Sequence, residues 1–194
     1  LNYIKKSVNP NLRIYKISSG KNIYDWRVPL EWKVTEAFIN DSKGRNIINF
    51  KKNNLHIVGY SIPINKKINF TNLKKNLHYL KDLPNAVPYR TSYYKKNWGF
   101  CLSYNQFKKM NKNQFYKVKI NSKLFKGKLN YGEIFIKGEL KREILFSTNI
   151  CHPSMGNNEL SGPVLAMQLA NFIYEKQRKF SYRIIFIPET IGAI

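Results

Sequence analysis

Two short segments carry the side chains that could do chemistry. Cys151-His152-Pro153-Ser154 follows the apolar run REILFSTNI (142–150), and Pro188-Glu189-Thr190 follows SYRIIFI (181–187). Between them lies a polar loop, 155–162, holding Asn158, Glu159 and Ser161. A histidine, a loop carboxylate or amide, and a second carboxylate at one edge suit zinc or a harder cation. There an activated water would be the nucleophile and a nearby carboxylate would take its proton. The commoner occupants of such positions are structural: a strand-end histidine with a satisfied ring, and Glu159 or Ser161 capping a helix. Cys151 beside His152 invites a thiol nucleophile. Neighbours on an extended chain point to opposite sides, however, which makes a poor dyad. His56, in a strand pattern, and His78, in a helical one, read as structural.

The elements around these segments explain why they should meet. The two apolar runs flank 162–177, an amphipathic stretch with Leu165, Leu169, Phe172 and Ile173 on one side. Strand, helix and strand make a β-α-β unit whose two strands are expected to be parallel and buried on both faces. Ligands of such sheets bind beyond the carboxyl ends of the strands. His152 and Glu189 therefore leave on the same edge.

Upstream the chain is richer in short strands. Residues 33–40 alternate and are followed by the turn Asp41-Ser42-Lys43-Gly44; 47–50, 55–60, 98–103, 115–120 and 132–136 read as further strands. Leu73, Leu77 and Leu80 after Thr71 predict a helix closed by Pro84 and Pro88, and 105–110 a short second one.

Composition narrows the class. With 194 residues, 43% hydrophobic, the chain can build a packed core, and no run approaches the roughly 20 apolar residues that span a bilayer. The only cysteines, Cys101 and Cys151, exclude a disulfide framework or a cysteine zinc knuckle and point to a reducing, cytoplasmic setting. Net charge is +23, and residues 51–130 carry eighteen basic groups against Asp82 alone. Lys, Asn and Ile, all with A/T-rich codons, dominate the composition, so part of the excess reflects codon bias; its concentration in one region does not. Lys74-Lys75, Lys95-Lys96 and Lys108-Lys109 interleave with Tyr89, Tyr93, Tyr94, Trp98 and Phe107. Without an arginine cluster or a nucleic-acid signature, this reads as a solvated surface over an aromatic core rather than a nucleic-acid site.

The strings ICHPSMGNNELSGPVLAMQLA and YRIIFIPETIGAI resemble bacterial aminopeptidase-like proteins of unknown function, associated with polysaccharide biosynthesis and related to zinc-dependent exopeptidases. IYDWRVPLEW, INDSKGRNIINF, LHIVGYSIP and PYRTSYYKKNWGFCLS fit the same family, in order along the chain. The resemblance implies an α/β fold in which a zinc-exopeptidase-like mixed sheet with flanking helices, in its first half only, is preceded by a β-rich inserted domain. The expected division is an N-terminal remnant (1–21), the inserted basic domain (22–112) and the truncated α/β domain (113–194). Family members are longer, with a helical segment before this region and a winged-helix domain after it. The opening at Leu1 and the apolar end at Ile194 likewise read as a fragment.

By the same resemblance His152 holds the place of a zinc ligand, and Glu189 that of the general base. Asn158 stands where the family relatives place a metal-bridging Asp, and Thr190 where they place a further acidic ligand. Glu159 could then shift in as a ligand, with one or two zinc ions bound. Tyr89, Arg90, Tyr93 and Tyr94 would line the substrate cleft. The leading expectation is hydrolysis of an amide bond in a peptide or amino-sugar-linked substrate, the isolated piece being inactive. The alternative is a degenerate scaffold that binds surface-polysaccharide or amino-sugar conjugates without turnover. No membrane partner is expected, and a homo-oligomer is left open.

Overall fold

Strict alternation along one long strand builds half of the molecule. In FYKVKINSKLF, Tyr116, Val118, Ile120 and Ser122 are buried while Lys117, Asn121 and Lys123 are exposed, the period of two that a one-sided sheet requires. The computed structural model describes residues 1–93, 95–152 and 155–189. The chain opens on helix α1 (Asn2–Ser7), strand β1 (Arg13–Ser18) and the small hairpin β2 (Asn22–Ile23) and β3 (Trp26–Arg27). There follow β4 (Glu31–Asn40), β5 (Asn46–Asn49), a 3-10 turn (Asn54–His56), β6 (Ile64–Asn69), α2 (Phe70–Lys74), β7 (Leu77–His78) and β8 (Phe100–Cys101). The order ends with α3 (Tyr104–Lys108), β9 (Phe115–Phe125), β10 (Lys128–Ile136), β11 (Glu143–Asn149), α4 (Asn157–Tyr174) and β12 (Ser181–Ile187). Two compact units result: Leu1–Val28 with Lys126–Ile194, and Pro29–Phe125.

The Pro29–Phe125 unit is an antiparallel sheet in the order β5-β4-β9-β6. Its inner face packs Ala37, Ile39, Tyr116, Val118 and Ile120 against Phe70, Leu73, Phe100 and Leu102. The strand β9, grouped with the last third from sequence, pairs with β4 from Lys117 to Phe125 and with β6 from Phe115 to Ile120, and thus lies in this unit. Two sequence expectations are corrected here. Residues 55–60 form a 3-10 turn and isolated bridges rather than a strand, with the His56 ring Nδ1 2.8 Å from the Cys101 carbonyl. The helix expected to run from Thr71 past Leu80 stops at Lys74: Leu77 turns into β7 to pair with Phe100, which also puts His78 in a strand. That pairing to a segment more than twenty residues away outweighs the local leucine spacing.

In the other unit the sheet order is β1-β10-β12-β11, with β11 and β12 parallel and joined through α4. The β-α-β unit is as expected from sequence, but β11 stands at the edge of this sheet, and Leu145 is 59% exposed rather than buried on both sides. The helix also differs. It begins five residues before Gly162 and carries Pro163 in its body, where a proline donates no hydrogen bond to the carbonyl of Glu159. Ser-Gly-Pro had looked like a start because proline favours the first helical position. The buried face is Glu159, Pro163, Ala166, Ala170 and Ile173, against Ile134, Ile136, Ile184 and Phe186; Leu165 and Phe172 face outward. Small residues win the face because they let the helix sit close to the sheet. A Cβ on Gly162 would lie 2.3 Å from the Thr148 Oγ1 of β11. This close seat delivers the first turn of α4 to the strand ends.

Candidate metal centre

The parallel pair continues one residue past β11, where the Ile150 N–H donates to the Ile187 carbonyl at 2.8 Å. Cys151 and His152 then leave the edge, and Pro188 and Glu189 leave it alongside. Glu159, the third residue of α4, is buried, and its Oε2 accepts the Cys151 backbone N–H at 2.5 Å. The Cys151 Sγ lies 3.9 Å from the other Glu159 oxygen. His152 Nε2 contacts Glu189 Oε2 directly, with the His152 side chain nearly covered and that of Glu189 40% exposed. One donor atom from each of Cys151, His152, Glu159 and Glu189 falls within 4.8 Å of the others.

Three of the residues singled out from sequence, His152, Glu159 and Glu189, are therefore brought together. Cys151 joins them, which corrects the expectation that it points away from His152. The opposite-sides rule holds for extended chain, and residues 151–152 lie beyond the strand. Adjacency to His152 was the one signal available. Asn158 is exposed where its neighbour Glu159 is buried. Tyr89, Arg90 and Tyr93 belong to the Pro29–Phe125 unit, where the Arg90 carbonyl accepts the Gly59 N–H and the Tyr93 ring meets Tyr60 edge-on at 4.9 Å. Tyr94 and Thr190 lie outside the described residues.

The site is electronegative. Burial pushes the Cys151 thiol up to about 11; the Glu189 backbone N–H opposes this, and the carboxylates of Glu159 and Glu189 add to it. Two carboxylates, an imidazole and a thiol with no cationic side chain among them form a donor set for a dication.

Residues 31–123 match the family described as a domain of unknown function, DUF2172, nearly the limits of the Pro29–Phe125 unit. A curated relative from Clostridium acetobutylicum, named as a candidate polysaccharide biosynthesis protein with an aminopeptidase-like domain, is 45% identical over 94% of the chain. The chain is thus similar to a protein with an aminopeptidase-like domain, and its residues 31–123 match DUF2172. The chain spans 42% of that relative's length. The crystal structure of a candidate peptidase from Clostridium acetobutylicum, also 45% identical, superposes with a TM-score of 0.88, covering 94% of this chain and 43% of that one. A zinc aminopeptidase from Bacillus subtilis shares the fold at 9% identity, with a TM-score of 0.58 over 97% of this chain and 54% of the other. The unit formed by Leu1–Val28 and Lys126–Ile194 holds the four-donor cluster, and the segment that matches DUF2172 holds most of the basic charge. Among the described residues no helix is long and apolar enough to cross a membrane.

Proposed function

We propose that this chain forms the metal-binding strand edge of a zinc-dependent, aminopeptidase-type amide hydrolase. The convergence of Cys151, His152, Glu159 and Glu189 carries the reading. The donors fit the group: imidazole, thiolate and carboxylate are zinc's usual ligands, and tetrahedral ligand atoms about 2.0–2.3 Å from one centre stand roughly 3.3–3.8 Å apart. A separation within 4.8 Å needs only modest contraction. His152 and Glu159 would hold the ion with Cys151, on a loop braced by the Cys151 N–H. When bound, zinc would supply Lewis acidity, polarising an amide carbonyl and making water a nucleophile near neutral pH.

The Glu189 side chain, 40% exposed against 12% for His152, is well placed to meet an incoming water. Acting as general base, it would take the proton from water and return it to the leaving amine. Without metal its carboxylate contacts the His152 Nε2, a contact that zinc on that nitrogen would replace, freeing Glu189 for the water. An amide of a peptide or of an amino-sugar conjugate is the substrate class we assign.

The exposed, neutral Asn158 favours a second reading, a scaffold that binds such conjugates without turnover. Zinc uptake separates the two. Equilibrium dialysis of the chain, purified without chelators, against zinc should show bound metal that His152→Ala loses. Absence of zinc in the unaltered chain at saturating metal would overturn the hydrolase reading. Binding of amino-sugar conjugates with no zinc and no release of amine from aminoacyl anilides would establish the second.

A further inference from the structure

The outer face of the DUF2172 sheet sets lysines directly against lysines. Lys67 of β6 pairs with Lys117 of β9, and Lys33 of β4 with Lys123 of β9. Like charges opposite each other destabilise a ladder. Between the two pairs the face carries Lys119, Asn65 and Asn121, with the half-buried Phe38 of β4 opposite Lys119. Its central carboxylate is Glu36, which Lys119 already holds at 2.6 Å, and the Lys119 hydrogen bond keeps that carboxyl below its usual range. Lysine on an edge strand is a common guard against unwanted pairing, which accounts for β6. It does not account for Lys117, Lys119 and Lys123, because β9 lies inside the sheet with β4 on one side and β6 on the other. Codon bias raises the number of lysines but does not choose their ladder positions.

We infer that this face binds an acidic polysaccharide. From Lys117 to Lys123 is about 20 Å along the strand, with side chains of one face repeating every 6–7 Å or so. Ammonium groups at that repeat answer spaced carboxylates, and the Asn65 and Asn121 amides answer sugar hydroxyls. Nucleic acid fits less well. Phe115 and Phe125, the rings at the two ends of β9, have the ammonium groups of Lys67 and Lys123 over them at 5.7 Å, where a base would need to stack. No arginine stands on β4, β6 or β9 to form planar, bidentate contacts.

The test uses polygalacturonate as probe, with neutral dextran and an oligothymidylate of similar charge as comparators, by calorimetric titration near physiological salt. One variant combines Lys67→Gln, Lys117→Gln and Lys123→Gln; its control removes the same charge elsewhere on the domain, with Lys74→Gln, Lys75→Gln and Lys81→Gln. All six side chains are exposed, and circular dichroism verifies the folds. Three surface contacts together predict about a tenfold loss of polygalacturonate affinity in the first variant. The control should bind as the unaltered chain does. Equal weakening of both variants would reduce the effect to net charge and overturn the site. So would failure to bind polygalacturonate, equal binding of dextran, or tighter binding of the oligothymidylate, the last assigning the face to nucleic acid.

Discussion

Glu159, on the first turn of α4, accepts the backbone N–H of Cys151 eight residues earlier, through Oε2 at 2.5 Å. A buried carboxylate thus fixes the loop that carries both Cys151 and His152, while its other oxygen faces the Cys151 sulfur. A structural contact and the proposed metal binding meet in one side chain.

Separating those two roles is the first prediction. Glu159→Ala leaves the Cys151 N–H without its acceptor and should destabilise the unit that contains α4 by about 1–3 kcal/mol. Glu159→Gln keeps an acceptor oxygen and should recover most of that stability, yet lower zinc affinity by about tenfold or more through loss of the anionic ligand. Urea titration and zinc dialysis of the two variants check this. Equal zinc affinity in Glu159→Gln and the unaltered chain would remove Glu159 from the ligand set.

Cys151 gives a spectroscopic prediction. Cobalt(II) substituted at the site should show an intense near-ultraviolet sulfur-to-metal charge-transfer band that Cys151→Ser abolishes. Cobalt binding through the remaining donors should persist. Before metal is added both thiols should be sluggish toward disulfide reagents, because burial pushes Cys101 up to about 12 and Cys151 to about 11. At pH 8 a thiol titrating near 11 is roughly one part in a thousand thiolate. Rapid modification of Cys151 at that pH, without metal, would contradict the geometry.

The DUF2172 domain should weaken on mild acidification. Burial holds His56 and His78 below their ordinary 6.5, with the nearby Arg90 charge adding to the effect at His78. Between the folded and unfolded values the unfolded chain binds more protons, so stability rises with pH in that window. It is fully present above the unfolded value of 6.5 and is lost progressively as pH falls below it. Glu36, held low by a hydrogen bond from Lys119, and Asp41, held low against its burial by hydrogen bonds from Arg45, act only below about 4.5 and leave the window clear. Urea midpoints across the range should slope downward toward acid, and His56→Gln with His78→Gln should flatten the slope. An unchanged slope in the double variant would assign the effect elsewhere.

A backbone approach supplies the fourth. A Cβ on Gly138, in the β10–β11 connection, would lie 2.1 Å from the Phe180 carbonyl oxygen just ahead of β12. Backbone cannot rotate away as a side chain can. Gly138→Ala should cost about 2–4 kcal/mol of stability in this unit, read from the shift in its urea midpoint. A neutral result would mean that the connection can move apart freely.

Much of this protein was legible in its residues alone. Alternation in 115–120 and the largely apolar runs 142–150 and 181–187 named strands, because side-chain period and apolar run length report on backbone type. The order strand, helix, strand then put His152 and Glu189 on one edge, since parallel strands must leave the sheet in the same direction. What the tertiary structure decided was which of several locally sound options survived. Leu165 and Phe172 lost the buried face of α4 to Ala166 and Ala170, because close seating on the sheet favours small side chains and periodicity does not measure distance. Leu77 left a good helix to pair with Phe100, a partner invisible to any local window. Cys151 entered the donor cluster because the chain turns beyond β11 and Glu159 holds its amide, a contact between loop and helix that no spacing rule encodes. Local pattern selects the elements; the donor geometry depends on long-range packing, where distances rather than periods set the energies.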